Sequence, residues 1–478
     1  MKTWNIGNTT VRNPYRLRAA LQLFRTTMGG RRFGRAEQQE YLNLRPFRLL
    51  LRFLKRIREE GLTGLTKFEI ALYVINMLDE DDTGAFEEAI SNIRGFRSDY
   101  DAIVGKVRKS EFTNRKLAEV ASRARLQPGS LVDYADSNAR YALITGLLTL
   151  QGNKLALSET RLPQVEAIIA DGTTLVSESE YLDFFYDPHL PLLPTDNLTF
   201  LRSEIARLEA QFVELASQVG ESTTLPSPTT EMTISALQAY EIRLRDRLRE
   251  VKEIVFYRNQ CSATSLNEIE DLLENLDSGT MVLFGGSDYA PAFLEWAIWR
   301  LFLALNEIVG PVSKTRGFRI DDDINPIHHA KGGDADLTFT YADFKLVCEM
   351  TLMGGSRQFS SEGEPVTRHV FKAIEESDSK PVYGLFVAKR LDPNTIDAFF
   401  KARYWKNFER FTPTSVVALE IGQVLKLIER IKSRPVSIED IRMLFDRILQ
   451  LQNEYPHGPA WYKAYSAMYE QWVSANSD

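Results

Sequence analysis

The spacing of apolar positions gives the chain two grammars. Up to about residue 278 they recur at helical intervals, and from about Gly279 onward short strand-like runs alternate with helices. The first 60 residues read as loop and then helix, with apolar residues set between arginines as in Arg16–Phe24. Leu62–Ile70 opens a further helix, where Thr66 and Glu69 stand at the spacing that lets each side chain satisfy the other's backbone amide. Helices are predicted over about 85–109 and 115–124, and another from Ser130 to Leu148, with Tyr134, Tyr141 and Leu147 among its apolar positions. This last one runs into two short alternating segments around Gly152-Asn153, so a β-hairpin is predicted at about 148–157. Helices followed by a hairpin predict a winged helix, which lays one helix in a nucleic-acid groove.

Pro188, Pro191 and Pro194 interrupt the pattern. Asn197–Val219 and Ile234–Arg258 are charged amphipathic helices, the second carrying Arg243, Arg245, Arg247 and Arg249, and the Ser-, Thr- and Pro-rich Gly220–Thr230 between them reads as a linker. The pair predicts either a helical hairpin acting as a spacer or a dimer contact. Beyond it, Phe293–Val309 is an apolar helix containing Trp296 and Trp299. Asp336–Thr340 and Phe344–Thr351 are consecutive strands across a Tyr341-Ala342-Asp343 turn, and Val382–Ala388 and Ser415–Ile421 are buried strands. The expected fold is multidomain: a mainly α N-terminal half with a winged-helix-like part, and a C-terminal α/β domain on a mixed sheet. The predicted divisions are 1–187, a helical linker region 188–278, and 279–478.

Composition narrows the setting. Cys261 and Cys348 are the only cysteines and form no CxxC spacing, which excludes a disulfide framework and a structural zinc site. No uninterrupted apolar run approaches about 18 residues, so the protein is expected in a bacterial cytoplasm, off the membrane. Charge is uneven. Residues 1–60 hold fourteen Lys and Arg against four Glu, a surplus of +10 that leaves −17 on the rest of a chain of net charge −7. A basic arm on an acidic body predicts a phosphate-binding surface, with Arg31, Arg32 and Arg35 as candidate DNA contacts.

The second strand carries the candidate chemistry. Side chains alternate along a strand, so Lys345, Val347, Glu349 and Thr351 share one face. Pairing it with the preceding strand brings Asp336 near Glu349 at the ends away from the turn. Two such carboxylates repel unless a cation or a shared proton relieves them, and a divalent metal is the natural occupant. The arrangement matches the PD-(D/E)xK nuclease core, with Glu295 on the upstream apolar helix as a third acid. Gly354–Phe359 reads as a flexible turn, followed by Glu362, Glu364, Arg368 and His369. Adjacent His328 and His329 lack further spaced ligands and read as a surface loop.

These residues, with Glu295-Trp296, Asp336 and the Glu349-x-Thr351 strand, resemble the AlwI family of type IIS restriction endonucleases, which includes strand-specific nicking relatives. The likeness extends to Asn138–Leu157 and to the opening Trp4–Asn8. It implies an enzyme that binds double-stranded DNA at a short asymmetric site and cuts nearby with Mg²⁺, for which Mn²⁺ can substitute, with a transient homodimer or second subunit for double-strand cutting. It further implies that Glu295, Asp336 and Glu349 bind the metal and that Glu362 and His369 complete the catalytic set, Glu364 competing with Glu362. His369 suits the orientation or deprotonation of a water. Thr351 stands where the nuclease motif has lysine; Lys345, Arg357, Arg368 or His369 could compensate, and the place is left unassigned. That departure keeps open a DNA-binding regulator whose nuclease-like domain is inactive.

Overall fold

The computed structural model describes residues 45–77, 79–124, 126–171, 194–226, 233–279, 289–377, 380–406 and 409–475. Arg31, Arg32 and Arg35, with Trp4–Asn8, lie outside them.

The molecule is multidomain and mainly helical. Its N-terminal part contains α1 (Pro46–Glu59), β1 (Leu65–Thr66), α2 (Thr83–Ala102), α3 (Lys106–Arg123), α4 (Pro128–Leu143), the hairpin β2 (Leu148–Gln151) and β3 (Lys154–Leu157), and α5 (Leu162–Ala170). Thr66 and Glu69 form the reciprocal cap read from sequence, and Gly152 turns the hairpin at φ +60°. β3 is the middle strand of three, with β1 on its other side. Two helix boundaries differ from expectation. Gly105, at φ 96°, breaks the predicted 85–109 helix, so α3 restarts at Lys106 and absorbs the expected 115–124 segment. α4 stops at Leu143, where the Thr145 hydroxyl binds the Ala142 carbonyl and Gly146 turns left-handed at φ 70°.

Within the described residues, the cations of the basic segment are paired with acids. Arg45 and Arg48 bind Glu80, Arg52 binds the Glu80 carbonyl, Lys55 binds Glu166, Arg56 binds Glu60 and Arg58 binds Glu159. Apart from the Arg56–Glu60 pair within one helical turn, these cations tie the α1 segment to acids elsewhere in the chain, which charge counting cannot see.

Helices α6 (Leu198–Val219) and α7 (Ile234–Asn259) pack into a hairpin with a separate core that includes Leu208, Phe212, Leu244 and Leu248. α8 (Ala263–Ser278), which the apolar pattern did not single out, leads to α9 (Ala290–Ala304). α9 is shorter than predicted because Asn306 and Glu307 adopt left-handed backbone at φ 63° and 67°. A small ladder follows, β4 (Arg319–Ile320) with β5 (Pro326–His328), and then β6 (Leu337–Thr340), β7 (Lys345–Thr351), α10 (Ser356–Glu375), β8 (Val382–Ala388), α11 (Pro393–Phe400), the hairpin β9 (Arg403–Lys406) and β10 (Arg410–Pro413), β11 (Val416–Glu420), α12 (Ile421–Ser433), α13 (Ile438–Leu451) and α14 (Gly458–Ser474).

The main sheet runs β11-β8-β7-β6, parallel except for the antiparallel β6–β7 pair, which makes it mixed as predicted. α10 and α11 cover one face, through Val370 against Gly384 and Phe399 against Phe386. α9 and α13 cover the other, through Phe302 against Phe339 and Phe445 against Tyr383. A side chain at Gly384 would sit 2.7 Å from Val370, so its absence lets α10 approach the sheet closely. The stretch read as a flexible turn at 354–359 is a turn only as far as Gly355, at φ 61°; Ser356 already begins α10.

Candidate active site

The β6–β7 register pairs Leu337 with Cys348, so Asp336, one step before, faces Glu349. Asp336 is held there from two directions. Its carboxylate accepts the Met350 amide at 2.9 Å, and its carbonyl accepts the Gly317 amide at 2.8 Å. Gly317 has no room for a side chain, since a Cβ there would lie 2.9 Å from the Ala335 carbonyl oxygen and 3.1 Å from that of Asp336.

Glu295 arrives from α9, where it is 3 % exposed and accepts the Ala330 amide at 2.8 Å. The neighbouring tryptophans fix the helix, Trp296 donating to the Ile324 carbonyl and Trp299 to the Thr315 hydroxyl. α10 brings the rest. Seven residues are close to two helical turns, so Glu362 and His369 fall on one face of it. His369 Nδ1 lies 2.6 Å from Glu349 Oε1, and Thr351 hydrogen-bonds Glu362. The structure thus brings all five sequence-predicted residues to one place.

Glu364 points elsewhere: it is exposed and pairs with Arg368 at 3.2 Å. Lys345 is at the other end of β7, bound to the Glu376 carbonyl. Arg357 is exposed at the start of α10. His328 and His329 are exposed with rings 4.6 Å apart, His328 ending β5 instead of lying in a loop. Sequence reading passed over Ala330, Gly317 and Gly384, which place the acids without doing chemistry. Only the glycines left a signal, and it names no partner.

The electrostatics of the cluster are one-sided. Burial, and then Asp336, push Glu295 up to about 9. Burial, and then Glu362, push Glu349 up to about 8. Asp336 is driven well above the ordinary aspartate range by burial and Glu349, and Glu362 is raised by burial. Burial moves His369 the opposite way, toward the neutral imidazole. With Glu349 ionised, the short bond requires the histidine proton on Nδ1, which leaves a lone pair on Nε2. That atom is buried with no hydrogen-bond partner among the described residues.

This donor set fits a hard divalent cation. The acids offer oxygen ligands, and their pKa values are raised first by burial and then, for Glu295, Asp336 and Glu349, by like charge. Among the described residues no group of three or more His, Cys, Asp or Glu side chains stands so placed that it could hold a metal ion. A few carboxylates with water completing the shell suit Mg²⁺, which dehydrates reluctantly. Among the described residues no helix is long and apolar enough to cross a membrane.

The chain belongs to the AlwI restriction endonuclease family, which matches residues 34–427. Among solved structures it is similar to the small subunit of the heterodimeric restriction endonuclease R.BspD6I, at 20% identity and a TM-score of 0.34, covering 43% of this chain and 97% of that one. No curated protein matches it.

Proposed function

We propose that this restriction enzyme is of type IIS, with residues 1–187 binding a short asymmetric duplex site, 188–278 acting as spacer, and 279–478 hydrolysing phosphodiester bonds a few base pairs away. The observation that carries the reading is the buried, mutually repelling set Glu295, Asp336, Glu349 and Glu362 beside an unpartnered His369 Nε2. An acid just before one strand and a second on its neighbour support a PD-(D/E)xK-type core, with Thr351 in the lysine place. A β-hairpin following α4 supports winged-helix-like recognition.

Glu295, Asp336 and Glu349 would hold Mg²⁺, which supplies charge to the scissile phosphate and acidity to a bound water. The chain's own residues do the rest. His369 Nε2 accepts the proton of the attacking water as the new P–O bond forms and the bond to the leaving oxygen breaks. Glu349 fixes the imidazole tautomer through Nδ1, and Thr351 orients Glu362. No lysine is needed in this scheme to take the proton.

The described residues hold one such cluster, and one cluster cuts one strand at a time. That favours strand-specific nicking by a single chain as the second reading, with a transient dimer or second subunit needed for a double-strand break. Incubation with supercoiled plasmid, with Mg²⁺ and with EDTA, followed by sequencing of the ends, tests both. Ends at a fixed offset from one motif support type IIS action, and accumulating open circles support nicking. Binding without cleavage in Mg²⁺ or Mn²⁺ would overturn the nuclease reading in favour of the DNA-binding regulator.

A further inference from the structure

The segment between β4 and the start of β6 touches both halves of the molecule. At one end, the Thr149 hydroxyl of β2 donates to Asp321 Oδ2 and accepts from Asn325 Nδ2 at 3.0 Å. Thr149 is only 1 % exposed, so these bonds have no water to replace them. Asp321 Oδ1 meanwhile accepts the amides of Asp323 and Asn325, both at 2.9 Å, and so folds the turn around itself. Thr160 and Arg161, just after the hairpin, bind Asp323 and Asp322 at 3.0 and 2.7 Å.

At the other end, the same segment grips α9 at the catalytic acid and at the residue after it. The Ile324 carbonyl takes the Trp296 indole N–H at 2.9 Å, and the Ala330 amide donates to Glu295 itself at 2.8 Å. Ile324 is a β-branched residue at φ 65°, a conformation it keeps only because its surroundings impose it. A turn so constrained moves as a unit, so displacement of Thr149 reaches Trp296 and Glu295 through three hydrogen bonds and one short backbone run.

We propose that residues 321–330 couple DNA recognition to cleavage, Thr149, Asp321 and Trp296 acting as positioning residues that set Glu295 according to the state of the β2–β3 hairpin. The proposal rests on the preceding reading that the hairpin side meets DNA and that Glu295 belongs to the active site. The full-length protein carries the test, on a plasmid whose cleavage ends have been mapped with the wild type. Thr149→Val removes the hydroxyl at nearly constant shape, Thr149→Ser restores it, and Trp296→Phe removes the indole donor at the other end.

The expected result is a fall of about tenfold in kcat for Thr149→Val and for Trp296→Phe, with KM and the Kd for DNA within about twofold. Thr149→Ser recovers the rate. The double variant Thr149→Val/Trp296→Phe is no slower than the slower single one, because both cut the same path. Additive losses in the double variant, an unchanged kcat in both single variants, or a Kd that rises as much as kcat falls would each overturn the coupling. Glu349→Ala is run beside them. If it cuts like the wild type, the catalytic reading falls and the coupling with it; if it is dead while the single variants keep their kcat, the coupling alone falls.

Discussion

Among the described residues, two groups of acids set into the interior are treated in opposite ways. At the junction of the helical hairpin with the 321–325 turn, Asp322 is met by Arg161 and Arg249, with Arg245 nearby, and despite its burial it is held below the ordinary aspartate range. Arg245, 4 % exposed, is itself answered by Glu204 and Glu241. At the end of β7 the acids answer one another. Burial and like charge drive Glu295, Asp336 and Glu349 upward, with Arg368 giving Glu349 only a minor counterweight. Where the chain supplies its own cations, buried acids hold parts together. Where it withholds them, the acids keep their protons to higher pH, and the proposed Mg²⁺ would be the cation that relieves them.

The largest expected effect breaks the cluster. Asp336→Ala or Glu349→Ala should lower plasmid cleavage on the order of a thousandfold or more, with DNA binding retained in a gel-shift assay. Either variant cutting at the wild-type rate would remove the catalytic assignment. His369→Ala should cost roughly a hundredfold in kcat with little change in KM, as expected for a group that handles a proton and binds no substrate.

The junction should respond in stability. Asp322→Ala takes one acid from Arg161 and Arg249, which keep Glu241 at 3.9 Å and Asp246 at 2.7 Å, and should cost about 1.5 kcal/mol in urea unfolding. Glu349→Gln should have the reverse sign: without divalent ions it relieves repulsion, raises unfolding stability by about 1 kcal/mol and abolishes cutting. If Glu349→Gln destabilised the ion-free protein, the contrast between the two clusters would fail.

The smallest effect is a pH dependence. Asp321 is pushed up to about 7, by burial and then by Asp323, against the Thr149 hydroxyl and the amides of Asn325 and Asp323, with Lys252 facing Asp323 across the turn. A carboxyl raised in the folded state contributes stability that is complete below its unfolded pKa of about 4 and is lost as pH rises through the folded value. The wild-type melting temperature should therefore decline between about pH 4 and about pH 7 relative to Asp321→Asn, and level off above that. Parallel curves for the two proteins would show that Asp321 does not titrate there.

Much of the sheet and its acids was legible because strand alternation and a short turn fix the register: Asp336 faces Glu349 for the reason the pattern gave. α9 was legible from its apolar run, although its end was not, because left-handed Asn306 and Glu307 leave no mark in the hydrophobic pattern. The start of α10 was hidden by Gly354-Gly355, which read as turn and gave no sign that a helix follows at once. The junction was invisible. Asp321–Asp323 lie more than 160 residues from Thr149, Thr160 and Arg161 in sequence, and no local signal joins residues so far apart. The acid partners of Arg45, Lys55 and Arg58 were hidden for the same reason, being brought in by folding.

The uncompensated cluster also bears on how such a gene survives in culture. A restriction enzyme endangers the DNA of the cell that makes it, so variants that lose cutting are favoured whenever that DNA is left unguarded. If Glu349 and Asp336 act as proposed, the simplest inactivating changes, carboxylate to amide at either, also relax the repulsion between them. Escape mutants would then be healthy proteins, abundant and well folded, and a screen for intact expression would pass them.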